Sequence, residues 1–156
     1  MISPERLRRY PFFGFLGDAE LKAVAMMVED FTLEPGELLF EIHQPAQALY
    51  LLMEGVIELY YVVTDNYDPT SRTELYISDI NPGEICGISA LIEPYQYTST
   101  AQAAGLSHLV KLESAGLRAM CEANPRLAYH LMSQLAKASL ERLHATRVQL
   151  VAARAG

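Results

Sequence analysis

The side chains with the means to do chemistry are few in this chain, and their spacing suits little of it. Four histidines, His43, His108, His130 and His144, contain no H-x-H pair, and only His43 and His108 fall among the strand-like segments. A metal held on adjacent strands needs closely spaced histidines and a carboxylate, so no metal site is expected. Cys86 and Cys121 stand 35 residues apart without C-x-x-C spacing, which reads as two reduced thiols acting as small hydrophobes. No G-x-S-x-G elbow is present for a nucleophile. The acidic pairs Glu29-Asp30 and Asp65/Asp68 sit at turns and read as caps and solvated faces. Asp65-Asn66-Tyr67-Asp68 is too poor in ligands for a calcium loop. Neither an enzyme nor a cofactor is predicted. The stretch that does combine special residue types is Pro82-Gly83-Glu84-Ile85-Cys86-Gly87-Ile88-Ser89-Ala90-Leu91, followed by Tyr97-Thr98-Ser99-Thr100-Ala101-Gln102-Ala103.

The elements that must hold this stretch can be read from periodicity. A short helix is expected near Pro4 to Arg9. A second follows Asp18, with Leu21, Val24, Ala25 and Val28 on one face. From Glu29 the period falls to two: Phe31/Leu33, Leu38/Phe40/Ile42, Leu49/Leu51/Met53 and Ile57/Leu59/Tyr61/Val63 alternate with more polar residues. Pro35-Gly36, Gln44-Pro45-Ala46, Glu54-Gly55, Asn66 to Pro69 and Asn81-Pro82-Gly83 punctuate them as turns. Further strands fit Glu74 to Ile80, Tyr97 to Ala103 and Leu106 to Leu112. After Glu113 the pattern is helical, with Ser114 and Asn124-Pro125 as start signals. The expected fold is α+β and mainly β: a roll of jelly-roll type with short N-terminal helices and a long C-terminal helix. One domain over 1–156 is expected, with helices in 1–29, the roll in 30–113 and helices in 114–153.

Composition narrows the function classes. The 156 residues are 51% hydrophobic, far from a disordered profile, and the longest apolar candidate, Leu49 to Val63, is broken by Glu54 and Glu58. No membrane span and no secretory signal are expected, and a cytoplasmic location is. Net charge is −7, unevenly spread: residues 1–113 carry 17 acids and 6 bases, residues 114–156 carry 2 acids and 6 bases. Between residues 23 and 110 thirteen acids face a single base, Arg72. Such a surface repels phosphate backbones, so no nucleic-acid partner is expected.

On the terminal helix, Tyr129, Met132, Ala136, Ser139, Leu143, Thr146, Leu150 and Ala153 step by 3 and 4 alternately, and none is charged. That is a narrow seam of coiled-coil type. Its first half is expected to lie on its own domain, where Leu127, Leu131 and Leu135 form a second stripe. The second half outruns the domain, which predicts a homodimer through residues 124–153.

The glycine-punctuated stretch resembles the phosphate-binding cassette of cyclic-nucleotide-binding domains, whose pattern reads roughly P-G-D-x-F-G-E-L-A-L and then R-x-A-x-V-x-A. Upstream, Pro35-Gly36-Glu37-Leu38-Leu39-Phe40 and Pro45 to Leu59 look like that family's second to fourth strands. The likeness is greatest to the bacterial branch related to catabolite activator proteins, in which a long C-terminal helix pairs in the dimer. It implies a ligand pocket at Gly87, Ile88, Ser89, Ala90, Leu91, Tyr97 and Thr98. A cyclic phosphate leaving water needs backbone N–H groups and a cation, usually an arginine with forked donors, while the ribose hydroxyl needs an acceptor. Here Ile88 occupies the place of the family's glutamate and Tyr97 that of its arginine. His43 stands where many members have a turn glycine. Losing one member of such a buried charged pair costs about 2–5 kcal/mol, roughly 30- to several-thousand-fold in affinity.

The resemblance therefore implies a stand-alone regulatory or sensory module that does not bind cyclic AMP or cyclic GMP by the usual contacts. It would signal through its terminal helix or a protein partner. One alternative is a sensor that still takes a cyclic nucleotide or another small-molecule ligand in the cassette pocket, with Tyr95 and Tyr97 lining it for a neutral or aromatic molecule. Another is a catabolite-activator-like transcription regulator lacking, or truncated before, its helix-turn-helix, since the chain ends at Gly156 without one.

Overall fold

The structure is a computed structural model and describes residues 2–156. Two four-stranded antiparallel sheets face each other as the roll. One runs β1(Val28–Leu33)-β8(Ser107–Glu113)-β3(Ala48–Glu54)-β6(Ile85–Cys86), the other β2(Leu38–Phe40)-β7(Thr100–Ala103)-β4(Ile57–Thr64)-β5(Arg72–Ile80). The α+β roll read from the sequence is the fold observed. The two-residue strand β6 was not anticipated, because a pair of residues leaves no period to read. Tyr97 to Ser99 lie outside β7, which starts only at Thr100.

Alternation alone underestimates burial on the central strands. Along β3 every residue from Ala48 to Met53 is buried, and on β8 Leu109 and Val110 are both fully buried although they point to opposite faces. Both faces of β8 are covered because helices pack on its outer side. Phe12 and Phe13 of a 3₁₀ turn (Pro11–Phe13) gather around Leu112 with Val24 of α2(Asp18–Met27), Leu117 of α3(Ser114–Ala123) and Leu127 and Leu131 of α4(Pro125–Ala155). α1(Pro4–Arg8) contributes Leu7, fully buried.

The starts of α2 and α4 are joined at one carboxylate. Glu20 accepts from the Gly17 backbone N–H (3.0 Å), Asn124 Nδ2 (2.8 Å) and Arg126 Nη1 (3.1 Å), so Gly17 rather than Asp18 is the cap residue of α2. These bonds, led by the Gly17 N–H, hold the Glu20 carboxyl below its ordinary pKa against a push from burial. Asn124 caps α4 as expected, its side chain accepting from the Leu127 N–H at 3.1 Å. Ser114 does not cap α3; it is its first residue, and its hydroxyl accepts from Arg118.

α4 is 31 residues, about 45 Å long, and lies on the roll by a different stripe from the seam. Leu127, Leu131 and Leu135 are buried, whereas Tyr129 is 70% and Met132 40% exposed. The expectation that the first half of the seam packs on its own domain is thereby corrected: the leucine stripe takes that role. Along the second half every residue from Thr146 onward is exposed, and side-chain donors reach back to the roll. Arg142 donates to the Ile85 carbonyl of β6 and Gln149 to the Ile77 carbonyl of β5. Among the described residues no helix is long and apolar enough to cross a membrane.

Asp30 on β1 and His108 on β8 are diagonal neighbours in register, with Nε2 and Oδ2 3.0 Å apart. The hydrogen bond with His108 lowers the Asp30 carboxyl pKa, against an opposing push from burial. A carboxyl lowered in the folded state stabilises above its ordinary pKa and loses that contribution as pH falls through the folded value. Asp30→Asn should therefore cost about 0.5–1 kcal/mol in urea unfolding at pH 7, and progressively less as pH falls below the ordinary carboxylate range. An equal cost throughout would show that the charge is not involved.

Candidate functional site

Strand β6 ends at Cys86, and the chain turns through Gly87 into a 3₁₀ turn, Ile88–Leu91. Gly87 has φ +77°, the left-handed region that glycine adopts without penalty. A Cβ built there would lie 3.0 Å from the Ala48 carbonyl oxygen and 3.2 Å from the Tyr97 ring. Glycine is thus required twice over, by conformation and by close approach.

Tyr97 sits against that glycine. Its ring stacks on Phe40 with centroids 3.9 Å apart and planes 12° from parallel. Phe40 also faces Tyr50, and Tyr50 meets Phe31 edge-on, so aromatic rings form a connected row through the roll. The Tyr97 hydroxyl donates to the Ala48 carbonyl at 2.7 Å and accepts from the Ala48 N–H at 3.3 Å. Tyr97 is 5% exposed, and burial raises its phenol pKa, as it does that of Tyr50. Cys86, fully buried beside this row, has its thiol pushed up to about 12 by burial, opposed by the positive Arg142. A thiol held protonated in this way is not a nucleophile.

The residues anticipated for the pocket differ in exposure. Gly87 and Tyr97 touch; Ala90 is buried; Ile88, Ser89 and Leu91 are half-buried; Thr98 is exposed. Tyr95 is half-buried, its ring beneath the Arg118 guanidinium at 4.0 Å. His43 adopts φ +74°, the left-handed conformation of the turn glycine it stands in for. Among the described residues no cluster of histidine, cysteine and acidic side chains is arranged to hold a metal.

Two arginines approach the cassette from elements far along the chain. Arg118 of α3 donates to the Ala90 carbonyl at 3.3 Å and to the Ser114 hydroxyl at 3.0 Å. Arg142 of α4 donates to Ile85, two residues before Gly87. Neither was anticipated, because a charge count confined to residues 23–110 leaves out the helices. The basic excess of residues 114–156 was the available signal.

Comparison with known proteins bears on this geometry. The family model described as "Cyclic nucleotide-binding domain" matches residues 31–124. A solved structure from Geobacter metallireducens, described as a cyclic nucleotide-binding protein, is 41% identical, covering 92% of this chain and 100% of that one, with a TM-score of 0.79. The catabolite activator protein of Thermus thermophilus shares the fold at 23% identity and a TM-score of 0.67, over 92% of this chain and 63% of that one. A Rhodopseudomonas palustris protein named as a potassium channel protein is 26% identical over 82% of this chain, which spans only 29% of its length. With most of the roll and α3 inside the matched segment, this chain belongs to the cyclic nucleotide-binding domain family, a family of regulatory binding domains.

Proposed function

We propose that this chain is a regulatory module whose cassette takes neither cyclic AMP nor cyclic GMP by the family's usual contacts. In this reading, 30–113 form the sensor roll and 114–153 carry the output. The observation that carries the proposal is Tyr97: where the family's arginine would meet a phosphate, a phenol is stacked on Phe40 and hydrogen-bonded to both polar groups of the Ala48 peptide. Ile88 offers no acceptor to a ribose. The thirteen acids of 23–110 argue against a nucleic-acid partner, and two free cysteines suit a reducing, cytoplasmic setting. Output would pass through α4 to a protein effector, a reading supported by relatives in which such a segment is part of a larger protein, as in the R. palustris channel protein.

The exposure of the seam supports a second copy as one partner. Tyr129, Met132, Leu143 and Leu150 are all at least 40% exposed on one side of α4, while Arg142 and Gln149 bond to the roll on another. An apolar stripe of that length facing water favours parallel pairing.

Three measurements test this. Isothermal titration with cyclic AMP and cyclic GMP should give no binding in the micromolar range; a low-micromolar constant would overturn the proposal. Tyr97→Phe keeps the ring but leaves the Ala48 carbonyl without its donor, and should cost about 1 kcal/mol of stability, against about 3–5 kcal/mol for Tyr97→Ala. Light scattering after size exclusion should give a dimer mass for the protein and a monomer mass for Leu143→Glu, and a monomer at micromolar concentration in the parent protein sinks the seam.

A further inference from the structure

Beside the anticipated pocket residues, α4 and the open edges of β5 and β6 enclose a groove of about 280 Å³. Its charged lining is Asp79 and Glu84 from the roll with Lys137, Glu141 and Arg142 from α4. None of Gly87 to Thr98 lines it, so it is separate from the pocket the resemblance implies.

Arg142 is the unusual member. One of its donors is used by the Ile85 carbonyl, and among the described residues no carboxylate comes within 4 Å of its guanidinium. A guanidinium has five N–H donors, and charges taken out of water are ordinarily paired. Burial depresses the Arg142 pKa, while Glu84 and Glu141 oppose that at longer range, so this cation is partly desolvated without a direct counter-ion. No fully enclosed side-chain nitrogen or oxygen among the described residues lacks a partner, so its remaining donors are bonded or reach solvent, and Arg142 lines the groove.

The acids fix the class of molecule that suits such a cation. Asp79 already accepts the Tyr76 hydroxyl (2.6 Å), and Glu84 accepts the Asn81 N–H (2.7 Å) through one oxygen, leaving its second oxygen. Glu141 makes no hydrogen bond to the described residues. With three acids and two bases, the groove is net negative by one charge. A dianion would add repulsion, and a dication would be repelled by Arg142 and Lys137. A molecule with one oxyanion and one ammonium satisfies both sides without changing the balance.

We propose that this groove binds a small zwitterion of the amino-acid type, its carboxylate on Arg142 and its ammonium toward Glu84 and Glu141. The site shares Gly83, Glu84 and Ile85 with the start of the cassette stretch but none of Gly87 to Thr98, and it does not require the Tyr97 reading. Seated between α4 and two sheet edges, such a ligand would bridge the roll to the output helix.

The test is a titration of the full, ¹⁵N-labelled chain, followed by NMR, with γ-aminobutyrate, succinate and putrescine at matched ionic strength. γ-Aminobutyrate should give saturable shifts centred on the amides of Glu84, Ile85, Glu141 and Arg142, and bind more tightly than the other two. Arg142→Gln should weaken it about tenfold or more, the loss of one charge-assisted pair. Glu84→Gln retains the acceptor for Asn81 and should weaken it by a smaller factor. Absence of saturable shifts up to tens of millimolar, or succinate or putrescine binding as tightly, overturns the proposal. So does an unchanged constant in Arg142→Gln. If that variant loses its dispersed spectrum, Glu84→Gln decides: an unchanged constant there refutes the ammonium contact.

Discussion

Placing the Tyr97 phenol inside the roll removes its hydroxyl from water, a loss of about 1–3 kcal/mol unless a protein partner replaces the solvent. The Ala48 peptide replaces it from both sides, N–H and carbonyl, at the first residue of β3. That pair of bonds fixes the ring plane, the ring plane fixes the stack on Phe40, and the stack leaves room at Gly87 only for a residue without a side chain. The Ala48 carbonyl, the Tyr97 ring and the positive φ of Gly87 together define this corner of the cassette. An arginine at the same place would carry a charge into a space lined by Phe40, Tyr50 and the Cys86 thiol, where the protein offers it no counter-charge.

How far the sequence discloses this depends on whether a feature is local. Strand alternation, turn residues and the Asn124-Pro125 start are local patterns, and from them the roll and the helices were legible. The departures at Ile88 and Tyr97 were legible as well, since they are single letters within a spaced motif. What Tyr97 does with its ring was not, because Phe40 and Ala48 lie roughly 50 residues away along the chain and no periodicity connects them. Strand β6 is too short to show a pattern. On α4 two stripes compete, leucines at 127, 131 and 135 against the seam, and composition cannot rank them. The fold chooses the leucines: Leu127 and Leu131 fill the space around Leu112, and Leu135 is buried as well.

The least legible feature is the course of α4 along the sheet edges. Edge strands leave a row of backbone groups without ladder partners. Between Leu59↔Ser78 and Tyr60↔Tyr76 the register of β4 and β5 shifts, leaving Ile77 unopposed. Its carbonyl takes a donor from Gln149, and the Ile85 carbonyl on the other sheet takes one from Arg142. Positions 142 and 149 are two turns apart on one face of the helix, so a single helix face serves both sheets. The bulge itself cannot be read from the sequence, and without it there is no reason to assign Gln149 a partner.

Charge gives these contacts a common cause. Thirteen acids against one base make the strand region a strongly negative surface, and self-repulsion of that kind destabilises a compact state unless cations are brought to it. The terminal helices supply them. Arg118 lies over the cassette and Arg142 reaches the edge strand β6, while Arg126 pairs with Glu20 of α2, outside that stretch. Because α4 is held to the roll partly by these cations and partly by the leucine stripe, its two halves are unlike. Near Leu127 to Leu135 the attachment is apolar and buried. Beyond Ala138 it rests on two side-chain donors and a groove open to water. A helix with one firm half and one polar half bends its population most easily at the second, since few buried contacts must break there. In this chain the weakly attached end of α4 is therefore the end that carries Leu143 and Leu150, the same residues that are exposed to water.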